Sequence, residues 1–225
     1  MITFNEVSKK YPLGTSALNT VSFTIKDNEF VFLTGPSGAG KTTIIKLIPY
    51  FITPTSGSIT INNTEITHKN FHDVDHLRQS IGVVFQDFKI LFDYTVAENI
   101  ALGDKILDTS DSRIASEVSR VVSLVGLEGK KQLFPIQLSA GELQRVALAR
   151  AIMGNRSIIL ADEPTGNLDP KTTWEIIKIF QKLQSKKTVI IATHNIDIVN
   201  SLKKRVITLE NGSIIKDERG GKYRL

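Results

Sequence analysis

No cysteine occurs anywhere in the 225 residues, so disulfides and thiolate metal sites are excluded, and a cytosolic compartment fits best. Also missing is any run near the roughly 18 consecutive apolar residues of a membrane helix. Work at a membrane must therefore pass through a partner. The opening stretch MITFNEVSKKYPLG alternates polar and apolar residues, and without an uninterrupted apolar core it predicts no export signal. Strong charge of one sign is lacking too: 28 basic against 23 acidic residues leave +5, with the lysines scattered. That balance suits nucleotides, nucleic acid or anionic lipid, and equally an ordinary solvated surface. Repeats and low-complexity tracts are absent, and the length implies one large domain or two small ones.

Short apolar runs alternate with helical stretches, which predicts an α/β sheet. Glu29 to Thr34, Ile81 to Phe85, Ser157 to Ala161 and Thr188 to Thr193 are nearly continuous in apolar character, as strands covered on both faces are. MITFNEVS, VSFTIKD and SGSITINNTE alternate instead, as half-exposed antiparallel strands do. Asn211-Gly212 between two alternating runs predicts a hairpin. Ile114, Val118, Val121, Val122 and Val125 fall on one face of an amphipathic helix, and Ala140 to Ile152 is rich in helix formers. The interval 95–153 thus reads as a helical subdomain, about 88–153 with its approach segment, inserted between two strands of the sheet. The closing ERGGKYRL is expected to fray.

The sharpest motif is Gly35-Pro36-Ser37-Gly38-Ala39-Gly40-Lys41-Thr42, a phosphate loop by its pattern, set between the strand EFVFLT and the helical run TTIIKLIPYF. Its glycines let the backbone wrap phosphate oxygens while N–H groups point inward at a helix start. Lys41 would neutralise the β and γ phosphates, and the Thr42 hydroxyl would bind Mg²⁺. Asp162 and Glu163 follow a buried strand, at the sheet edge where ligands gather. Asp162 would hold Mg²⁺ directly or through water, and Glu163 would polarise the attacking water. An acidic pair there can also be a plain helix cap. His194, at another strand end, can sense the γ phosphate or simply face solvent. Gln86, just past IGVVF, is placed to bind Mg²⁺ or water, and alone would count as a polar loop residue.

In order, Tyr11, GPSGAGKTT, Gln86, LSAGELQR, IILADEP, GNLD and His194 resemble the ATP-binding cassette (ABC) ATPases over essentially the full length. The resemblance implies one domain, 1–225, of α/β class: a P-loop NTPase core with a mixed, mainly parallel sheet, an antiparallel β subdomain and the inserted α-helical subdomain. It implies ATP and Mg²⁺ as cofactors and catalysis by Glu163, His194, Gln86 and Lys41. Thr42, Gln86 and Asp162 would serve the metal. Gly35, Pro36, Ser37, Gly38, Ala39, Gly40, Lys41, Thr42 and Thr43 would hold the phosphates, with Tyr11 stacked on adenine. Ser139, Gly141 and Glu142 of the signature would cover the nucleotide of a second copy, and Asp169 would orient contacts across that ATP-dependent homodimer.

Two departures stand out. The commonest signature is LSGGQ, whereas Ala140 and Glu142 occur here, and Ala140 adds a methyl beside the phosphate site. Gly166-Asn167-Leu168-Asp169 replaces the widespread Ser-Ala-Leu-Asp. The phrases FLTGPSGAGKTT, FQDFKILFDYTVAEN and FPIQLSAGELQRVALARA are most similar to the cell-division branch. That branch pairs with an integral membrane protein of the FtsX type, which implies a peripheral location on the cytoplasmic face of the membrane and control of cell-wall hydrolases. Phe88, Leu91, Phe92 and Tyr94 offer anchors for a cytoplasmic helix of the partner, or pack locally. An exporter or importer ATPase, of the lipoprotein-release or macrolide-efflux type sharing ADEPTGNLD, is the alternative. A nucleic-acid ATPase is disfavoured, because such relatives usually carry a long coiled coil or a second cassette. His68, His72 and His76 have the spacing of metal ligands on a helix, but Thr67 to Asn70 is polar and the resemblance implies no metal there.

Overall fold

In the computed structural model, which describes residues 1–67, 71 and 73–223, the chain starts with β1 (Ile2–Lys10), β2 (Ser16–Ile25) and β3 (Phe30–Thr34). Next come α1 (Lys41–Leu47), β4 (Ser56–Ile61), β5 (Thr64–Thr67), α2 (Val74–Gln79) and β6 (Ile81–Val84). Three helices follow, α3 (Val96–Ile106), α4 (Asp111–Val125) and α5 (Ala140–Ile152). The remainder alternates: β7 (Ile158–Asp162), α6 (Pro170–Leu183), β8 (Thr188–Ala192), α7 (Ile196–Leu202), β9 (Arg205–Glu210) and β10 (Ser213–Glu218).

The four continuous apolar runs and the C-terminal hairpin form one sheet in the order β10-β9-β3-β8-β7-β6, parallel except for the β9–β10 pair. Its inner strands are apolar on both faces because each face meets its own core. Phe30 and Phe32 of β3 turn to the helical side with α3 to α6, while Val31 and Leu33 face α1 and the second sheet. That second sheet, β2-β1-β4-β5, is antiparallel throughout. Period-2 alternation sends alternate side chains of such a sheet inward.

The helical face anticipated in the sequence is the one that α4 buries: Ile114, Val118, Val121, Val122 and Val125. The stretch Ala140 to Ile152 coincides with α5, started by a capping box between Ser139 and Glu142. Helix α1 stops at Leu47, two residues short of Pro49, whose missing N–H bars continuation. The expected hairpin turns at Asn211 and Gly212, both left-handed at φ 48° and 77°, as the tightest hairpins require. One expectation changes: SGSITINNTE is not a single strand. Asn62 and Asn63, at φ 47° and 69°, fold it into the β4–β5 hairpin, since asparagine tolerates this conformation where larger side chains do not. Among the described residues no helix is long and apolar enough to cross a membrane.

Candidate functional site

The loop from Gly35 to Gly40 leaves β3 and enters α1. Gly35 has φ 137°, and a Cβ there would sit 2.1 Å from the Leu209 carbonyl oxygen, so only glycine brings the loop down onto β9. With Lys41, Thr42 and Thr43 this loop walls a cavity of about 620 Å³, completed by Gln86, Glu163, His194 and Tyr223, a size that suits a small-molecule ligand. Lys41 is buried within it. Its ammonium donates to the carbonyls of Gly35 at 2.7 Å and Pro36 at 2.9 Å, and burial lowers its pKa against the opposing pull of Glu163 and Asp162.

Facing the lysine, β7 ends in Asp162, whose Oδ1 accepts from the Thr42 hydroxyl at 3.1 Å. Burial raises the Asp162 pKa, with Glu163 adding to the shift and Thr42, Lys46 and Lys41 opposing it. These hard oxygens, with Gln86 on the same cavity wall, match what Mg²⁺ selects. Glu163 follows at φ 47°, an unusual conformation for glutamate that costs about 1–3 kcal/mol. The Glu163 N–H donates to the Ala192 carbonyl at 2.9 Å, and its Oε1 lies 2.8 Å from Nδ1 of His194. The strand register explains the meeting, because Asp162 pairs with Ala192 and the next residues of both strands emerge together. A buried cation, an acid beside a threonine hydroxyl and a carboxylate–imidazole pair thus converge. Such a set can bind phosphates, hold a divalent cation and polarise a water.

The remaining sequence candidates lie elsewhere. Ser139 and Glu142 cap α5: Glu142 Oε2 accepts from the Ser139 N–H at 2.9 Å, and Glu142 also pairs with Lys130. Those two contacts, Lys130 first, hold the Glu142 carboxylate below its usual range. Gly141 packs against α6, where an added Cβ would reach the Thr172 methyl at 2.6 Å. Asp169 caps α6 by accepting from the N–H groups of Lys171 and Thr172, each at 3.0 Å. Ser139, Gly141, Glu142 and Asp169 do not line the phosphate cavity of their own chain. Tyr11 stands beside the cavity, its hydroxyl 3.5 Å from that of Thr43 and its ring beneath the Lys9 ammonium. His68 and His72 lie outside the described residues, and among those described no cluster of three or more metal-ligating side chains occurs.

Phe88 packs against the helical core, whereas Leu91, Phe92 and Tyr94 are exposed. Sequence reasoning missed Tyr223. Expected in a fraying tail, it is 3% exposed and joins the cavity wall. The signal available was a lone aromatic residue in an otherwise polar and glycine-rich stretch.

Comparison with known proteins places the chain among ATP-binding cassettes. The family model described as ABC transporter matches residues 18–166. The cell division ATP-binding protein FtsE of Bacillus subtilis (strain 168) is 48% identical over 224 residues, which covers 99% of this chain and 98% of that protein. FtsE of Escherichia coli (strain K12) is 42% identical over 215 residues, 95% of this chain and 97% of its own. Among solved structures, the dimeric post-hydrolysis state of the ATP-binding cassette MJ0796, bound to ADP and Pi, matches with a TM-score of 0.88. It is 34% identical in sequence, covering 99% of this chain and 100% of that one.

Proposed function

The chain belongs to the ABC transporter family, and from that premise we propose that it is the ATP-hydrolysing subunit of a cell-division complex, working as FtsE does beside an FtsX-type membrane protein. Two copies close on ATP, and the closure drives a conformational change in the partner that regulates cell-wall hydrolases. The protein then sits on the cytoplasmic face of the membrane through that partner, with the helical part at about 88–153 inserted in a single domain. The observation that carries the reading is the Glu163–His194 pair, 2.8 Å apart on the wall of the cavity that holds Lys41.

Each residue has a task in this scheme. Lys41 and the loop N–H groups neutralise the phosphates, while Glu163 accepts a proton from the attacking water and His194 holds the carboxylate in place. Thr42, Gln86 and Asp162, the last directly or through water, would hold Mg²⁺, and the cation would offset the charge of the phosphates. Ser139 and the Gly141 N–H head a helix that can serve the nucleotide of a second copy, and their absence from their own cavity supports a shared, twofold arrangement. Tyr11 stacks on adenine, and Asp169 orders the seam between copies. Purified Glu163→Gln with MgATP is expected to accumulate a dimer on size-exclusion chromatography and to stop hydrolysing. Unchanged hydrolysis would remove Glu163 from this role.

A further inference from the structure

The hydroxyl of Tyr223 has no hydrogen-bond partner among the described residues, although the side chain is buried. Such a group costs stability unless something later satisfies it. Its position is no accident of a loose tail. The Tyr223 N–H donates to Oδ1 of Asn200 at 2.9 Å, and the Asn200 amide donates back to the Tyr223 carbonyl at 3.2 Å. Asn200 belongs to α7, the helix that follows His194. From that clamp the ring reaches across to the phosphate cavity. The hydroxyl lies beside the backbone of Gly35. Burial holds the phenol above its ordinary pKa and Glu163 reinforces it, while the Gly35 N–H, near the oxygen but outside hydrogen-bond geometry, opposes them.

The carbonyl of the same Gly35 is an acceptor that stands to lose its donor. Two of the three N–H donors of Lys41 go to the carbonyls of Gly35 and Pro36. To reach two phosphate oxygens, the ammonium must release at least one of them. We propose that Tyr223 is a positioning residue of the nucleotide site, its hydroxyl taking over the Gly35 carbonyl when Lys41 turns to the phosphates. The tyrosine thereby ties the start of the phosphate loop, through Asn200, to the helix behind His194. This deepens the nucleotide reading of the cavity and rests on it.

Tyr223→Phe tests the exchange, because it keeps the ring and deletes the oxygen. Without nucleotide the variant should melt at the wild-type temperature or higher, since the lost group had no partner. Its affinity for a fluorescent ATP analogue should fall about five- to tenfold, as for one lost hydrogen bond. In a Lys41→Met background the carbonyl has no ammonium from the start, and there Tyr223→Phe should lower Tm by about 2–4 °C. An equal Tm loss in both backgrounds would make the hydroxyl merely structural and overturn the proposal, as would unchanged ATP affinity. A wild-type protein that fails to bind the analogue would instead sink the nucleotide reading itself.

Discussion

Oε1 of Glu163 and Nδ1 of His194 meet at 2.8 Å although they come from different strand ends, and the exposed histidine leans on a mostly buried carboxylate. With Nδ1 engaged by the carboxylate, Nε2 is the ring nitrogen left without that contact. Replacing His194 by Ala should leave the phosphate loop intact and free the carboxylate to turn. The expected result is a kcat lower by about 10²-fold or more with ATP affinity little changed. A loss confined to ATP binding, read by nucleotide titration beside steady-state rates, would place His194 in binding alone.

Asp162 is strained electrostatically. Burial, with help from Glu163, raises its pKa, so the folded protein holds the ionised form at a cost. The sign follows: the cost is present above the raised pKa and fades as pH falls through it toward the ordinary carboxylate value of about 4. Asp162→Asn should therefore melt higher than wild type at neutral pH, with the gain shrinking toward about pH 4, while Mg²⁺-dependent hydrolysis is lost. Melting curves across pH check this, and a variant less stable than wild type at neutral pH contradicts it.

Arg150 fastens the approach to the helical part. Its guanidinium donates to the carbonyls of Lys89 at 2.7 Å and Phe88 at 2.8 Å, which holds two non-glycine residues at φ 52° and 58°. Lysine cannot reproduce that fork. Arg150→Lys should lower Tm by about 3–8 °C, the range for losing one charge-assisted bond in a chain of this size. It should also open the segment 86–95 to proteolysis in the native protein; resistance equal to wild type would show that the fork is dispensable.

What the sequence made legible is local. The phosphate loop, the acidic pair after β7 and the buried stripe of α4 are written in spacing along a few turns or strands, and the structure has them where the spacing put them. The rest depended on distant contacts. Nothing near Tyr223 in sequence announces Asn200, 23 positions away, nor that a tail of glycine and lysine would bury an aromatic ring. The Asn62-Asn63 turn was readable in hindsight, but continuous alternation masked it. The left-handed turn at Phe88 and Lys89 could not be read locally, because its cause, Arg150, lies 61 positions beyond Lys89.

The surface for a membrane partner can be tested on the same segment. Leu91, Phe92 and Tyr94 are 39%, 56% and 43% exposed, yet the loop that bears them is fixed from below. The buried Asn99 amide donates to the carbonyls of Leu91 at 2.9 Å and Tyr94 at 3.0 Å, and its oxygen accepts from the Leu91 N–H at 2.9 Å. Apolar side chains displayed on a rigid loop lose little entropy on docking, which is how a few residues come to dominate an interface. Phe92→Ser and Tyr94→Ser should each weaken capture of an FtsX-type partner by about five- to thirtyfold, as for 1–2 kcal/mol. Melting temperature and basal hydrolysis should stay as in wild type, because neither side chain touches the phosphate cavity. Asn99→Ala should behave differently, lowering Tm and partner capture together because it loosens the display rather than the contacts. If the double Phe92→Ser, Tyr94→Ser variant captured the partner as wild type does, the docking site would have to lie on another face.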